Sequence, residues 1–357
     1  MFWLVITIVA LVAFTLIYLR GENLSEFDQP PLAQSKTSPS EAHLDVVAAM
    51  EDFARQGQRH RGKQRLKVIR DYLDSMSEGR DFVSEFRAET KAEVRGEWVL
   101  APGADPRRRL LYIHGGAWMA GSPKSHRALT NKLSMDTGCA VFSLDYRLMP
   151  ENRRRDSVED CKAAYRWILE HGPDGQEALD YLVVAGDSAG GNLTLVTVAW
   201  ARDEGLRKAD AAIAFSPATD SAMTSPSLTT NLATDPMLGP AFGFLTKIPL
   251  ALLWWASWLS TRIRPADPVV SPIRGNLAGL PPILIQASEA EMLLDDSRRY
   301  VAKAQAAGSP VELQTWPHMV HVWQMFTPEL PEAEEAYDKL LEFLQRVQKS
   351  NKEGPVA

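Results

Sequence analysis

The sequence predicts an α/β fold, on two strand–loop passages. In the first, the apolar run Tyr181-Leu182-Val183-Val184-Ala185 passes through Gly186-Asp187-Ser188-Ala189-Gly190 and Gly191-Asn192 into the helix-like Leu193-Thr194-Leu195-Val196-Thr197. In the second, the strand-like Arg109-Leu110-Leu111-Tyr112-Ile113 runs into His114-Gly115-Gly116-Ala117-Trp118. Strand, sharp turn and helix are the context in which G-x-S-x-G lifts a serine clear of a sheet edge. The flanking glycines leave room for strained backbone and for close strand–helix approach.

The two passages support one chemistry. A serine that attacks a carbonyl needs donors aimed at the oxygen that becomes charged. A glycine-rich loop lets backbone N–H groups crowd that spot, and the N–H of Ala189, at a helix start, adds a further donor. Alone, His114-Gly115-Gly116 reads equally well as a tight turn; the serine turn downstream makes it an oxyanion loop. Gly115, Gly116, Ala117 and Ala189 are the candidate donors, and Trp118 is the candidate substrate contact.

These passages, with Asp145-Tyr146-Arg147-Leu148-Met149-Pro150-Glu151, Asp267-Pro268, Ser271-Pro272, Gly279-Leu280-Pro281-Pro282 and His321, resemble the hormone-sensitive-lipase family of α/β-hydrolases over residues 90 to 345. The resemblance implies an eight-stranded, mostly parallel sheet with helices on both faces and a helical cap over the pocket. It also implies carboxylic-ester hydrolysis with no metal or organic cofactor.

In that fold the catalytic members run serine, acid, histidine. After Ser188, the strand-like Pro282-Ile283-Leu284-Ile285-Gln286 leads to Glu289, Glu291, Asp295 and Asp296. Counting back from the helix end near Ala307-Gly308, Glu291 stands where the family places its acid, with Asp295 next in line. Glu289, Asp295 and Asp296 also read as ordinary acids near a helix N-terminus. Only His318 and His321 follow the acid, in the loop after the strand-like Val311-Glu312-Leu313-Gln314-Thr315-Trp316. His321-Val322-Trp323 matches the family's base, so His321 is the candidate and His318 a loop residue. His114 resembles the family's structural histidine.

Composition narrows the field. The 357 residues are 45% hydrophobic, and 39 basic against 45 acidic side chains leave a net charge of −6, which offers no nucleic-acid footprint. Two cysteines, Cys139 before a strand and Cys161 in a helix, read as buried thiols rather than a disulfide framework or zinc site. Met1 to Leu19 is almost wholly apolar and closes with Arg20. At ~1.5 Å per residue, this nearly crosses a ~30 Å hydrocarbon layer. With no basic leader or small-x-small site, it predicts an uncleaved, single-pass membrane anchor. Orientation stays open, since Glu22, Glu26 and Asp28 follow the lone arginine.

The expected organisation is an anchor (1–20), a linker with N-terminal cap helices (21–90), a first core part (91–217), a cap insertion (218–267) and a second core part (268–350). Val46, Val47, Met50 and Phe53 mark one face of a helical pattern reaching to about Phe86. The basic stretch Arg55 to Arg70 reads first as a solvated face, with contact to anionic headgroups as the alternative. Phe242 to Leu259 reads as a cap helix broken near Pro249, or as a surface dipping into a bilayer. The expected partners are a small-molecule ester and a membrane, the latter through the N-terminal helix and in the second reading through the cap. Two rival functions remain: an amidase, deacetylase or lipase acting on lipophilic acyl compounds, and a non-catalytic ligand binder of the same fold. The binder would be expected to lack one of the three catalytic residues, and all three are present.

One departure from the family generates a prediction. Ala117 stands where the family often has a third glycine, keeping the donor but adding a methyl group near the substrate. Turnover of n-butyl acetate should therefore exceed that of tert-butyl acetate, and Ala117→Gly should narrow the gap. Fast turnover of both esters by the parent chain would overturn this.

Overall fold

Eight strands carry the molecule: β1 (Glu85–Glu89), β2 (Gly96–Leu100), β3 (Asp105–Ile113), β4 (Cys139–Leu144), β5 (Tyr181–Asp187), β6 (Ala211–Phe215), β7 (Ile283–Ser288) and β8 (Val311–Trp316). They stand in the order β1-β2-β4-β3-β5-β6-β7-β8. The computed structural model describes residues 2–32, 37–90 and 94–353. Met1 of the expected anchor, residues 33–36 of the linker and residues 91–93 at the expected start of the core lie outside them.

The strands from β3 to β8 pair in parallel, while β2 lies antiparallel to both β1 and β4. The inner parallel strands β5 and β6 and the second half of β3 are almost wholly apolar because both faces are covered, whereas the edge strand β8 is mixed and half-buried. Leu111 and Ile113 point to the side of α5 (Arg154–Glu170), α6 (Ser188–Asp203) and α8 (Leu294–Ala306). Leu110 and Tyr112 point to the side of α4 (Arg127–Thr137) and α9 (Pro331–Glu353). In α9, the apolar positions Tyr337, Leu340, Leu344 and Val347 follow helical spacing and seal that face. Cys139 opens β4 and Cys161 lies within α5; both thiols are buried and free.

The helical pattern of the N-terminal region resolves into α2 (Glu41–Gln58) and α3 (Gly62–Ser75), joined by a stack of Phe53 on Tyr72 at 3.7 Å. It does not reach Phe86, which lies in β1 beside β2. The Phe82 and Phe86 rings touch edge to face. The sheet therefore begins before residue 91. Of the basic stretch, Arg55 and Lys67 pair with acids on their own helices and stay mostly exposed. Arg70 turns instead to Glu151 and to the Met119 and Met149 carbonyls.

The second cap piece comprises short helices at Ser227–Thr230 and Leu238–Phe242, a tight turn at Gly243–Lys247, and α7 (Leu250–Thr261). The path bends by 106° between Lys247 and Leu250, where Pro249 stands. At the chain's start, α1 (Phe2–Ala13) widens into a π-helical turn over Phe14–Leu19. That turn packs on α7. The Phe14 ring lies 5.3 Å from Trp255 and 5.2 Å from Trp258, and Trp255 Nε1 donates to Thr15 Oγ1 at 3.0 Å. Leu19 is wholly buried against Ala222 and Trp254. The expected linker is a strap: Leu24 enters the core, Glu22 pairs with Lys303, and Asp28 pairs with Arg299 at 2.5 Å.

Candidate active site

The loops after β3, β5, β7 and β8 meet at the carboxyl end of the sheet, where ligands of open α/β sheets gather. Ser188 follows β5 directly and is held at φ 52°, a strained conformation for a residue with a side chain. The turn is possible because Gly190 packs against the β3 end: a Cβ there would lie 1.9 Å from the Ile113 carbonyl oxygen.

His321, on the loop after β8, lies between Ser188 and Glu291. Its Nδ1 is 2.6 Å from Glu291 Oε2 and its Nε2 is 2.9 Å from Ser188 Oγ. A carboxylate only accepts, so Nδ1 carries the proton and Nε2 is left to receive the serine hydroxyl. Glu291 is fully buried, and its other oxygen accepts from the Ser288 N–H at 3.0 Å. The competing acids are committed elsewhere. Glu289 accepts from Thr315, Asp295 binds Arg298 and the Ser227 N–H, and Asp296 accepts from the Thr219 and Asp220 N–H groups. His318 binds the Thr37 carbonyl.

Of the four proposed oxyanion donors, three are available and one is not. Gly116 is at φ 110° and Ala117 at φ 54°, and both line the cavity at Ser188. The Ala189 N–H lies in the first turn of α6, beyond reach of any intrahelical carbonyl. Gly115 leaves the set, because its N–H donates to Asp187 Oδ1 at 2.9 Å. Its glycine identity serves this contact: a Cβ would lie 2.0 Å from Asp187 Oδ2.

A family model described as alpha/beta hydrolase fold matches residues 110–325. An acetyl-hydrolase of Streptomyces hygroscopicus is 40% identical over 256 residues, 71% of this chain and 81% of that protein. A carboxylesterase/phospholipase, LipF, of Mycobacterium tuberculosis is 33% identical over 266 residues, 72% of this chain and 68% of that protein. The crystal structure of an esterase from the bacterial hormone-sensitive lipase family superposes with TM-score 0.73 at 32% identity, covering 87% of this chain and 99% of that one. The chain belongs to the hormone-sensitive-lipase family of α/β hydrolases.

Other residues of this hormone-sensitive-lipase-family site were missed by motif reading. Besides the Gly115 N–H, Asp187 Oδ1 accepts from the Tyr112 hydroxyl at 2.6 Å and lies 3.2 Å from His126 Nε2. Burial pushes the Asp187 carboxyl up, but His126 and Tyr112 outweigh it and hold it below the ordinary value. Burial, with His126 nearby, depresses His114 to about 3, so its ring stays neutral. Nδ1 of that ring donates to the Gly115 carbonyl, and the ring stacks on Tyr146 at 4.3 Å. Tyr146 in turn donates to the His114 carbonyl. No local sequence signal marks the Asp187–Tyr112 pair, because it joins strand ends that only the fold makes neighbours.

Two cavities of similar size meet at Ser188. One, about 330 Å³, lies toward the second cap piece and includes Trp118, Leu245 and Ile263. The other, about 370 Å³, lies toward α2 and α3 and includes Phe53, Tyr72 and His321. Ala117, Leu238 and Phe242 border both. Asp296 borders the first, its carboxyl pushed up to about 7 by burial and by Asp220. Among the described residues, no group of His, Cys, Asp or Glu is arranged to hold a metal ion.

Burial alone would lower the pKa of His321, but the hydrogen bond and charge of Glu291 outweigh it and raise the ring above its ordinary 6.5. Followed by NMR, His321 should titrate above 6.5 in the parent chain. In Glu291→Gln the burial contribution would be left unopposed by that charge, and the midpoint should fall. An unchanged midpoint would show that Glu291 does not set it.

Proposed function

We propose that Ser188 is the nucleophile of this chain, His321 its general base and acid, and Glu291 the group that orients His321, with Gly116, Ala117 and Ala189 as oxyanion donors. The chain is a carboxylic ester hydrolase, as its relatives and solved neighbours among the esterases indicate. The observation that carries the residue assignment is the continuous relay from Ser188 Oγ through His321 to Glu291, at 2.9 and 2.6 Å.

The relay accounts for each step. His321 Nε2 takes the Ser188 proton as Oγ attacks the acyl carbonyl, and the forming imidazolium is stabilised by Glu291. The backbone donors receive the tetrahedral oxyanion. Collapse transfers the proton from His321 to the leaving alcohol and leaves an acyl-enzyme. Water then enters, gives its proton to His321, and releases the acid while Ser188 recovers its hydrogen. Cavities of 330 and 370 Å³ on either side of Ser188 suit short to medium acyl chains. An amidase or deacetylase would use the same relay, but the named relatives favour esters.

The same reading extends to the membrane. The apolar helix Phe2–Leu19 is long enough to span a bilayer, and its outer side chains are exposed. We assign it as an uncleaved anchor, since its last turn closes a cluster with Trp254 and Ala222 of the cap. The exposed Phe244, Leu252 and Leu259 of the cap would then dip into the interface.

Against p-nitrophenyl esters from acetate to palmitate, the full chain should prefer short to medium acyl groups, and Ser188→Ala should lose at least about 10³-fold in kcat. Retention of activity in Ser188→Ala would overturn the assignment. In vesicle co-flotation the full chain should partition with lipid. With Phe2–Ala13 removed, residual partitioning should fall further when Phe244, Leu252 and Leu259 become serine. Absence of that further fall would remove the cap from the membrane contact.

A further inference from the structure

Among the described residues Arg154 is the one cation that borders the 330 Å³ cavity at Ser188, and it has no carboxylate among its described contacts. It is the first residue of α5 and only 5% exposed. Its Nη1 donates to Ser157 Oγ at 2.9 Å and its Nη2 to Asn192 Oδ1 at 2.8 Å. Nε donates to none of the described residues. The guanidinium lies 4.3 Å over the ring of Trp118, which borders the same cavity.

The nearby acids do not neutralise it. Asp220 is paired with Arg274, and Asp296 accepts from Thr219, Asp220 and Ser225. Asp156, in the first turn of α5, accepts from the Arg153 N–H and lies beside Arg147. Burial lowers the Arg154 guanidinium to about 10, which still leaves it charged at neutral pH. A charge at a helix N-terminus adds to the positive end of the helix dipole, so α5 does nothing to offset it. A desolvated cation of this kind is expensive unless an anion meets it.

Resting on the esterase reading above, we propose that Arg154 recognises an anionic group on the substrate, so that the preferred esters carry a carboxylate or phosphate in the part that fills this cavity. Arg154 and the proposed oxyanion donor Ala189 line the same cavity, and Ser157 and Asn192 each take one Nη hydrogen, leaving Nε and the remaining Nη hydrogens without an acceptor among the described residues. A planar fork of free donors suits a carboxylate or phosphate oxygen pair. Because Asn192 also donates to the Ala218 and Val270 carbonyls, both on the cavity wall, the guanidinium is anchored rather than mobile.

The test compares matched esters in the full chain. One arm pairs p-nitrophenyl hydrogen adipate with p-nitrophenyl hexanoate, placing the charge at the acyl end. The other pairs the hexanoyl ester of glycerol 3-phosphate with that of glycerol, placing the charge on the alcohol. In one arm, kcat/KM for the anionic ester should exceed that of its neutral partner at least about tenfold, the scale of a charge-assisted hydrogen bond. In Arg154→Met that ratio should collapse, and Arg154→Lys should restore part of it. Preference for the neutral ester in both arms would overturn the proposal without recourse to any variant. So would a ratio that survives Arg154→Met, because a purely structural arginine would lower both esters alike. Failure to hydrolyse even the neutral esters would instead strike the esterase reading itself.

Discussion

The Asp187 carboxylate is the constraint on which the site depends. It precedes Ser188, yet its side chain reaches back to the neighbouring strand and loop, holding the Tyr112 hydroxyl and the Gly115 N–H and facing His126. A buried carboxylate without such partners would be strongly destabilising. With them, it fixes the distance between the serine turn and the glycine-rich loop. Ser188 and the proposed oxyanion donors are therefore set in register by one residue, and Gly115 gives up its own donor to make that possible.

A second set of contacts ties the cap to the acid. Asn231 donates to the Glu289 and Glu291 carbonyls, Ser227 donates to the Met292 carbonyl, and the Met292 N–H donates to Asp235. Asp235 also accepts from the N–H groups of Met237 and Leu238, and Leu238 borders both cavities. The turn that presents Glu291 to His321 is thus built partly from cap residues. Cap and relay are therefore physically joined.

Much of this was legible in the sequence, for identifiable reasons. Strands buried on both faces leave apolar runs, so β5 and β7 could be read within two residues, whereas β3 starts four residues before its apolar run, through the polar Asp105-Pro106-Arg107-Arg108. Ser188 and His321 stand in local patterns with a steric logic, and Glu291 is proposed through the family resemblance, counting back from the end of α8. What could not be read depended on contacts between distant segments. Asp187 looks like part of the serine turn, and nothing local shows that it binds the β3 loop. Arg154, between Arg153 and Arg155, looks like one member of a solvated charge run; only the fold buries it while its neighbours remain exposed. Phe86 falls in a five-residue edge strand, too short a pattern to stand against the helical one that precedes it.

The seat of Phe14–Leu19 on the cap has a consequence for how the molecule can be shortened. The last turn of the N-terminal helix covers Trp254 and meets Trp255 and Trp258. Trimming at Arg20 would bare a patch of three indoles and unfasten the Ala266 N–H from the Leu19 carbonyl. A chain begun at Phe14 would keep both. The helix is thus two objects joined end to end: an outer stretch that can be spared without touching the cap, and an inner turn that serves as the cap's outer wall.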